Sequence, residues 1–386
     1  MSGDRSTITP ALPRISTDAA LRGRYRGCLL AGAAGDALGA HVEFMSLSQI
    51  LTKFGEPGIR DYEVTYGHLG AITDDTQMTL YTAEGMLRAY TRMMDRGIGP
   101  SFRSVTAYAY LRWLYTQGIR SPLLDPTTID GWLSTHRSLF DRRAPGNTCL
   151  SALRIMTSID EKANNDSKGC GAVMRAAPVG MLMAHWLHGD ERQARVAETF
   201  SIGCDIAVIT HGHPSGYLTA GVLAVLVALL LKGDCLDVAL DEALTELCRY
   251  PGHEETLRAI EAARALARTR PGERTALTTL GEGWVAEEAL AMSVYCALSA
   301  PDIESGIVLA VNHSGDSDST GSITGNLLGA MHGEAGIPER WLDQMELREV
   351  IGAVADDLAS VCDWDLDFYG EDSTQADFYY KRYPGG

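Results

Sequence analysis

The chain has 386 residues and a formal net charge of −17 at pH 7, so its averaged surface field repels nucleic acid and anionic membrane. Its apolar fraction of 45% is that of a globular protein, and the length suffices for one large domain or two ordinary ones. With no basic arm and no aromatic–basic stripe, an anionic ligand would have to be held by local devices.

Residues 1–18 are polar, carry Pro10 and Pro13, and lack a charged-then-apolar signal pattern. They read as a flexible extension that could dock on a partner. Helical periodicity then dominates, and helices are predicted over 20–43, 74–97, 101–117, 147–161, 171–188, 190–203, 214–232, 236–249, 253–268, 284–299, 302–312, 319–334 and 346–361. Residues 366–386 read as a tail, and 67–71 and 120–130 as loops. Alternating strand patterns are nearly absent, so one all-α domain of orthogonally packed helices is expected over 19–365. The apolar run 216–231 is shorter than the roughly 20 residues a bilayer requires and is expected to be a helix buried on all sides. The eight cysteines show no C-x-x-C spacing. They read as small buried hydrophobes in a reducing, cytoplasmic compartment.

Six stretches offer chemistry. In the first predicted helix, Gly32, Asp36, Gly39 and Glu43 recur at spacings of four, three and four, hence on one face. Asp36 suits a structural hydrogen bond, while Glu43 is either functional or a solvated helix end. Thr73-Asp74-Asp75-Thr76 opens the second helix. The run 164–171, Asn-Asn-Asp-Ser-Lys-Gly-Cys-Gly, leads into a helix; its bare backbone N–H groups and Lys168 suit an anion such as a diphosphate. It is not a P-loop. Arg175, just beyond, is expected in a structural ion pair. His211, before the apolar helix, reads as a polar cleft wall or a cap, and Trp284 as core or as an aromatic shelf for a ligand ring.

Gly315-Asp316-Ser317-Asp318-Ser319-Thr320 opens the last strong helix, whose glycines 321, 325, 329 and 333 line one face and invite close approach of another backbone. Each acidic cluster taken alone is explained by helix capping. Two clusters, each with more carboxylates than a cap uses, point instead to a shared cage of hard oxygen ligands for one or two divalent cations.

Together these residues resemble the ADP-ribosylglycohydrolase family. The resemblance rests on GDALGAHVEF at 35–44, TDDTQM at 73–78, NDSKGCGAVMRAAPVG at 165–180, TH at 210–211, GEGW at 281–284 and GDSDSTGSITGNLLGA at 315–330, in the family's order. It implies an all-α fold with two Mg²⁺ or Mn²⁺ ions at the base of a cleft. Thr73, Asp74 and Asp75 would ligate from one side, and Asp316, Asp318 and Ser319 from the other. Ser167, Lys168, Gly169, Cys170 and Gly171 would hold the diphosphate and proximal ribose, although Lys168-Gly169-Cys170 stands where other members have a Gly-Asn-Gly type. Glu43 matches an acidic residue lying over the metals. The implied reaction removes ADP-ribose from a modified protein side chain, foremost arginine, at C1″, with Glu43, Asp74, Asp75 or Asp316 moving the proton.

Two alternatives stand beside it: a metal-dependent phosphohydrolase, and an immunity or binding protein directed at an ADP-ribosyltransferase toxin. Neither nucleic acid nor membrane is an expected partner, and a monomer is expected. The rim loops 97–101 and 118–131 would read the modified target.

Overall fold

The computed structural model describes residues 18–366 and 374–385; the proposed docking extension lies almost wholly outside them. Among the described residues the chain is helical with no sheet. The α-helices run α1 (Ala19–Gly39), α2 (Leu47–Phe54), α3 (Asp74–Arg96), α4 (Phe102–Thr116), α5 (Asn147–Ile155), α6 (Ala177–Met183), α7 (Arg192–Ala207), α8 (Pro214–Leu231), α9 (Leu236–Leu247), α10 (Glu254–Thr269), α11 (Arg274–Leu277), α12 (Ala286–Ser299), α13 (Ile303–Val311), α14 (Ser317–His332), α15 (Glu339–Gln344), α16 (Arg348–Ser360) and α17 (Thr374–Arg382).

Local chemistry sets many of the boundaries. Asp18 accepts from Ala20 N and Leu21 N and starts α1. Ser46 and Gln49 form a reciprocal capping box on α2. The expected helix over 171–188 is shortened to α6, because Pro178 is tolerated only in a first turn. α1 stops at Gly39 rather than running to residue 43. Its end abuts the backbone of Ser317 and Asp318, and tight turns follow, with Val42 N donating to Gly39 O and Met45 N to Val42 O. Glu43 therefore leaves a turn, not the helix face that its spacing suggested.

α1 and α14 run antiparallel at unusually close range. A Cβ on Gly27 would strike Gly329, one on Gly35 would strike Gly321, and one on Gly325 would strike the Ala31 carbonyl. The glycine stripe of α14 thus meets a second stripe on α1. α8 forms the centre of the apolar core with α6, α7, α9, α12 and α14 around it. It is the one helix among the described residues long and apolar enough to span a bilayer, and most of it is buried inside the fold.

A buried charge cluster joins α3 to α4. Glu84 accepts from Arg88 Nη2 at 3.2 Å and from Arg112 Nη2 at 2.9 Å, with all three side chains nearly inaccessible. Glu84→Ala would leave the buried Arg112 guanidinium without its carboxylate and Arg88 paired with Asp130 alone. It is expected to cost about 3–5 kcal/mol, read by urea unfolding; a loss below about 1 kcal/mol would show the cluster to be solvated.

Two expectations fail here. Part of the expected tail, 374–382, is α17, docked through Tyr379 stacked on Trp364 at 3.6 Å and through Arg382 and Tyr383 bonded to Asp357; its aromatic residues are too few and too clustered to show helical periodicity. Cys235, Cys248 and Cys362 are exposed rather than buried, although all eight thiols are free.

Candidate active site

α1 organises the site through Asp36. This buried carboxylate accepts from Thr73 N (3.0 Å), Thr73 Oγ1 (2.8 Å), Thr76 N (3.1 Å) and Thr76 Oγ1, so it pins the start of α3. The glycine contact on the other side of α1 fixes the start of α14. Two helix N-termini thereby converge, one bearing Asp74 and Asp75, the other bearing the N-cap Asp316 with Asp318 and Ser319. Glu43 comes in from the turn after α1.

Carboxylate oxygens of Glu43, Asp316 and Asp318 lie within 4.8 Å of one another, and all three side chains are buried. Among the described residues Glu43 Oε2 and Asp75 Oδ1 have no hydrogen-bond partner. Buried acceptors without partners are costly, and adjacent carboxylates repel unless a cation or protons intervene. The electrostatics reflect this. Burial, then Asp316, Asp74 and Asp36, push Glu43 up to about 9. Burial, with Asp36 and Asp316, pushes Asp74 up to about 8. Asp75 and Asp318 are raised well above the carboxylate range, again chiefly by burial and then by their acidic neighbours. A hard divalent cation fits this donor set: oxygen ligands, excess negative charge and unused lone pairs.

The cage forms the floor of a cleft of about 360 Å³. Glu43, Asp74, Asp75, Asp316, Asp318 and Ser319 line it below; Gly169, Cys170, Gly171, His211 and Trp284 line its walls. Thr73, Ser167 and Lys168 do not line it. Thr73 Oγ1 sits at the buried edge, bonded to Asp36 and 3.4 Å from Asp318 Oδ2. Ser167 Oγ bonds Thr148 Oγ1 at 3.0 Å. Lys168 Nζ pairs with Glu255 at 2.6 Å and with Glu287, so its charge braces the loop rather than meeting an anion. The Cys170 N–H donates to Trp284 O at 3.2 Å and is likewise taken.

His211 is buried, with Nδ1 2.8 Å from Thr210 Oγ1. Burial, then the nearby Arg175 guanidinium, lower it to about 3, which keeps the ring neutral. The α8 cap is the neighbouring His213. Trp284 is 40% exposed and stacks on Phe44, itself 73% exposed, at 6.0 Å; it is a shelf at the mouth, not core. Among the described residues Arg175 is in no ion pair, against expectation. It donates to Thr210 Oγ1 (2.6 Å) and Cys149 Sγ (3.2 Å) and lies over the Tyr110 ring.

One wall went unread in the sequence. Ala144 to Cys149 lines the cleft and leads into α5, whose N-terminus has no side-chain cap. Its first turn brings the positive end of the helix dipole to the cleft, and the Gly146 N–H just before it donates to Asp74 Oδ2 at 3.2 Å. Pro145-Gly146-Asn147-Thr148 before an apolar run was the available signal. Among the described residues no Lys or Arg lines the cleft, so this end is its main anion-attracting feature.

The description "ADP-ribosylglycohydrolase" belongs to the family model that matches residues 17–367. The chain belongs to the ADP-ribosylglycohydrolase family. It is 26% identical to the ADP-ribosyl-[dinitrogen reductase] glycohydrolase of Rhodospirillum rubrum, over 86% of this chain and 93% of that one. It is 23% identical to the ADP-ribosylarginine hydrolase Tri1 of Serratia proteamaculans, over 87% and 78%. Among solved structures it matches an ADP-ribosylglycohydrolase-related protein complex with a TM-score of 0.61 and 25% identity, over 88% of this chain and 98% of that one. The fold and family expectations therefore hold, and with them a hydrolase of a typically metal-dependent family that removes ADP-ribose from modified targets.

The raised carboxyls make a stability prediction for the metal-free protein. The folded state keeps protons that the unfolded chain releases above about pH 4. Stability should therefore fall as pH rises through the window up to about 8–9 set by Asp74 and Glu43. Thermal melts in chelator should show a lower midpoint at about pH 8 than at about pH 6, and saturating Mn²⁺ should flatten the difference by displacing those protons.

Proposed function

We propose that the chain is a divalent-cation-dependent hydrolase that releases ADP-ribose from modified arginine side chains by cleaving the N-glycosidic bond at C1″. The observation that carries this reading is the buried cage with its partnerless oxygens, Glu43 Oε2 and Asp75 Oδ1, on the floor of an acidic cleft. Asp74, Asp75, Asp316, Asp318 and Ser319, with Thr73 at the buried edge, would hold two Mg²⁺ or Mn²⁺ ions. Such ions supply orientation of the ribose hydroxyls and of a water.

The chain's own residues divide the remaining work. The first turn of α5 attracts the diphosphate, and the 169–171 segment walls the cleft beside it. Phe44 and Trp284 offer a flat apolar surface at the mouth. The negative floor favours positive charge that builds on the ribose as the bond breaks and also suits a cationic guanidinium leaving group. Glu43 carries the proton to that nitrogen: it is buried on the cleft floor, and its Oε2 has no hydrogen-bond partner among the described residues. The arginine linkage is further supported by the relatives named above, one an ADP-ribosylarginine hydrolase. The catalytic domain is taken to span 19–365 and to act as a monomer.

Peptides ADP-ribosylated on arginine or on serine, incubated with Mg²⁺, Mn²⁺ or chelator, test this by product mass. Free ADP-ribose, released from the arginine peptide only with metal, is the expected result. AMP and ribose phosphate would instead identify a phosphohydrolase. Release from the serine peptide alone would overturn the linkage.

A further inference from the structure

The cage is not chemically uniform. Its floor toward α3 is all oxygen, but its opposite edge carries sulfur. Cys170 Sγ donates to Asp316 Oδ2 at 2.7 Å, short for a thiol donor, and Ser319 Oγ lies 3.6 Å from the same sulfur. Ser319 Oγ is also 3.8 Å from Met174 Sδ. The thiol's position is set by backbone on both sides: Cys170 N donates to Trp284 O, and Cys170 O accepts from Met174 N. Across the cage, Glu43 Oε2 and Asp75 Oδ1 are buried without partners. Cys170, Glu43 and Asp75 line the same cleft, so soft sulfur and partnerless oxygen border one cavity.

Thiolate ligands favour Zn²⁺ and its heavier congener over Mg²⁺ or Mn²⁺, and Zn²⁺ accepts mixed sulfur and carboxylate donors. We propose that Cys170 makes one end of the cage a binding site for a thiophilic divalent cation, with Cys170 Sγ and the Asp316 carboxylate as its first two ligands. This rests on reading the acidic cage as a cation site. On binding, the S–H bond breaks, a sulfur–metal bond forms and the proton leaves to solvent. Because Asp316 is shared, the soft cation excludes a hard one from that end, so Zn²⁺ acts as an inhibitor that this chain recognises through its cysteine.

Cadmium chloride added to the metal-free full-length protein tests the proposal, read by the ultraviolet thiolate-to-cadmium charge-transfer band and by competition against bound Mn²⁺. The wild type should show the band and release Mn²⁺ as Cd²⁺ is added. Cys170→Ser should lose the cage-associated part of the band and need about ten- to a hundredfold more Cd²⁺ to displace Mn²⁺. Cys149→Ser, a thiol on the same cleft wall, should behave as the wild type. Mn²⁺ binding by Cys170→Ser, read directly, shows that the variant is folded. An unchanged band and unchanged competition in Cys170→Ser, or their loss in Cys149→Ser instead, would overturn the inference and leave the proposed function standing. Failure of the wild type to bind either Mn²⁺ or Cd²⁺ would overturn both.

Discussion

Asp75→Asn should lower turnover by roughly a thousandfold, the scale expected when a metal ligand or positioned proton carrier is lost, while raising the stability of the metal-free protein. The two effects share one cause. Asp75 Oδ1 has no hydrogen-bond partner, and its charge is opposed by burial and by Asp36, Asp74 and Asp316. An amide relieves that repulsion but cannot supply the same charge to a cation. Stability measured in chelator and catalysis measured with Mn²⁺ should therefore move in opposite directions. Full turnover in the variant would remove Asp75 from the site. Asp36→Asn makes the contrast, because Asp36 holds four hydrogen bonds from Thr73 and Thr76. It should lose stability, and any loss of activity should follow from displacement of α3.

Gly325→Ala should destabilise the fold by about 3 kcal/mol or more, at the upper end of overpacking effects. Its new Cβ would overlap the Ala31 carbonyl of α1, a backbone group that cannot rotate away. Separating α1 from α14 would also shift Asp318 relative to Asp75, so metal affinity should weaken along with the unfolding midpoint. Gly23→Ala, in the partner helix α1, is the control. A Cβ there meets nothing within 4 Å, and replacing a helical glycine by alanine should stabilise by up to about 1 kcal/mol. Equal effects of the two substitutions on denaturant midpoint would show that glycine content, not the close helix contact, matters.

Several features of the site were legible because they are local. A hydroxyl or carboxylate before an apolar-periodic run marks a helix start, and excess acid there marks more than a cap. Thr73–Asp75 and Asp316–Ser319 are both of this kind. The four-residue glycine repeat of α14 is equally local, since every fourth residue shares a helix face. Glu43 was picked out by spacing, but the spacing assumed a helix that ends at Gly39. The start of the helix predicted over 147–161 was legible, but not that Pro145 to Thr148 walls the cleft, because which side a helix start faces is set by distant packing. Lys168 was read as an anion contact because its acidic partners, Glu255 and Glu287, lie far along the chain.

The sequence by itself determined the helical class, the ends of most long helices, the acidic clusters and one glycine face, since all depend on residues within a turn or two of each other. Only the tertiary structure decided which backbone that glycine face meets, that Asp36 ties α3 to α1, and that Thr73 and Asp318, 245 positions apart, come within 3.4 Å. It alone placed a thiol against Asp316. Contacts at such separation come from the packing of whole helices, where a missing Cβ at one position sets the approach of carboxylates several turns away.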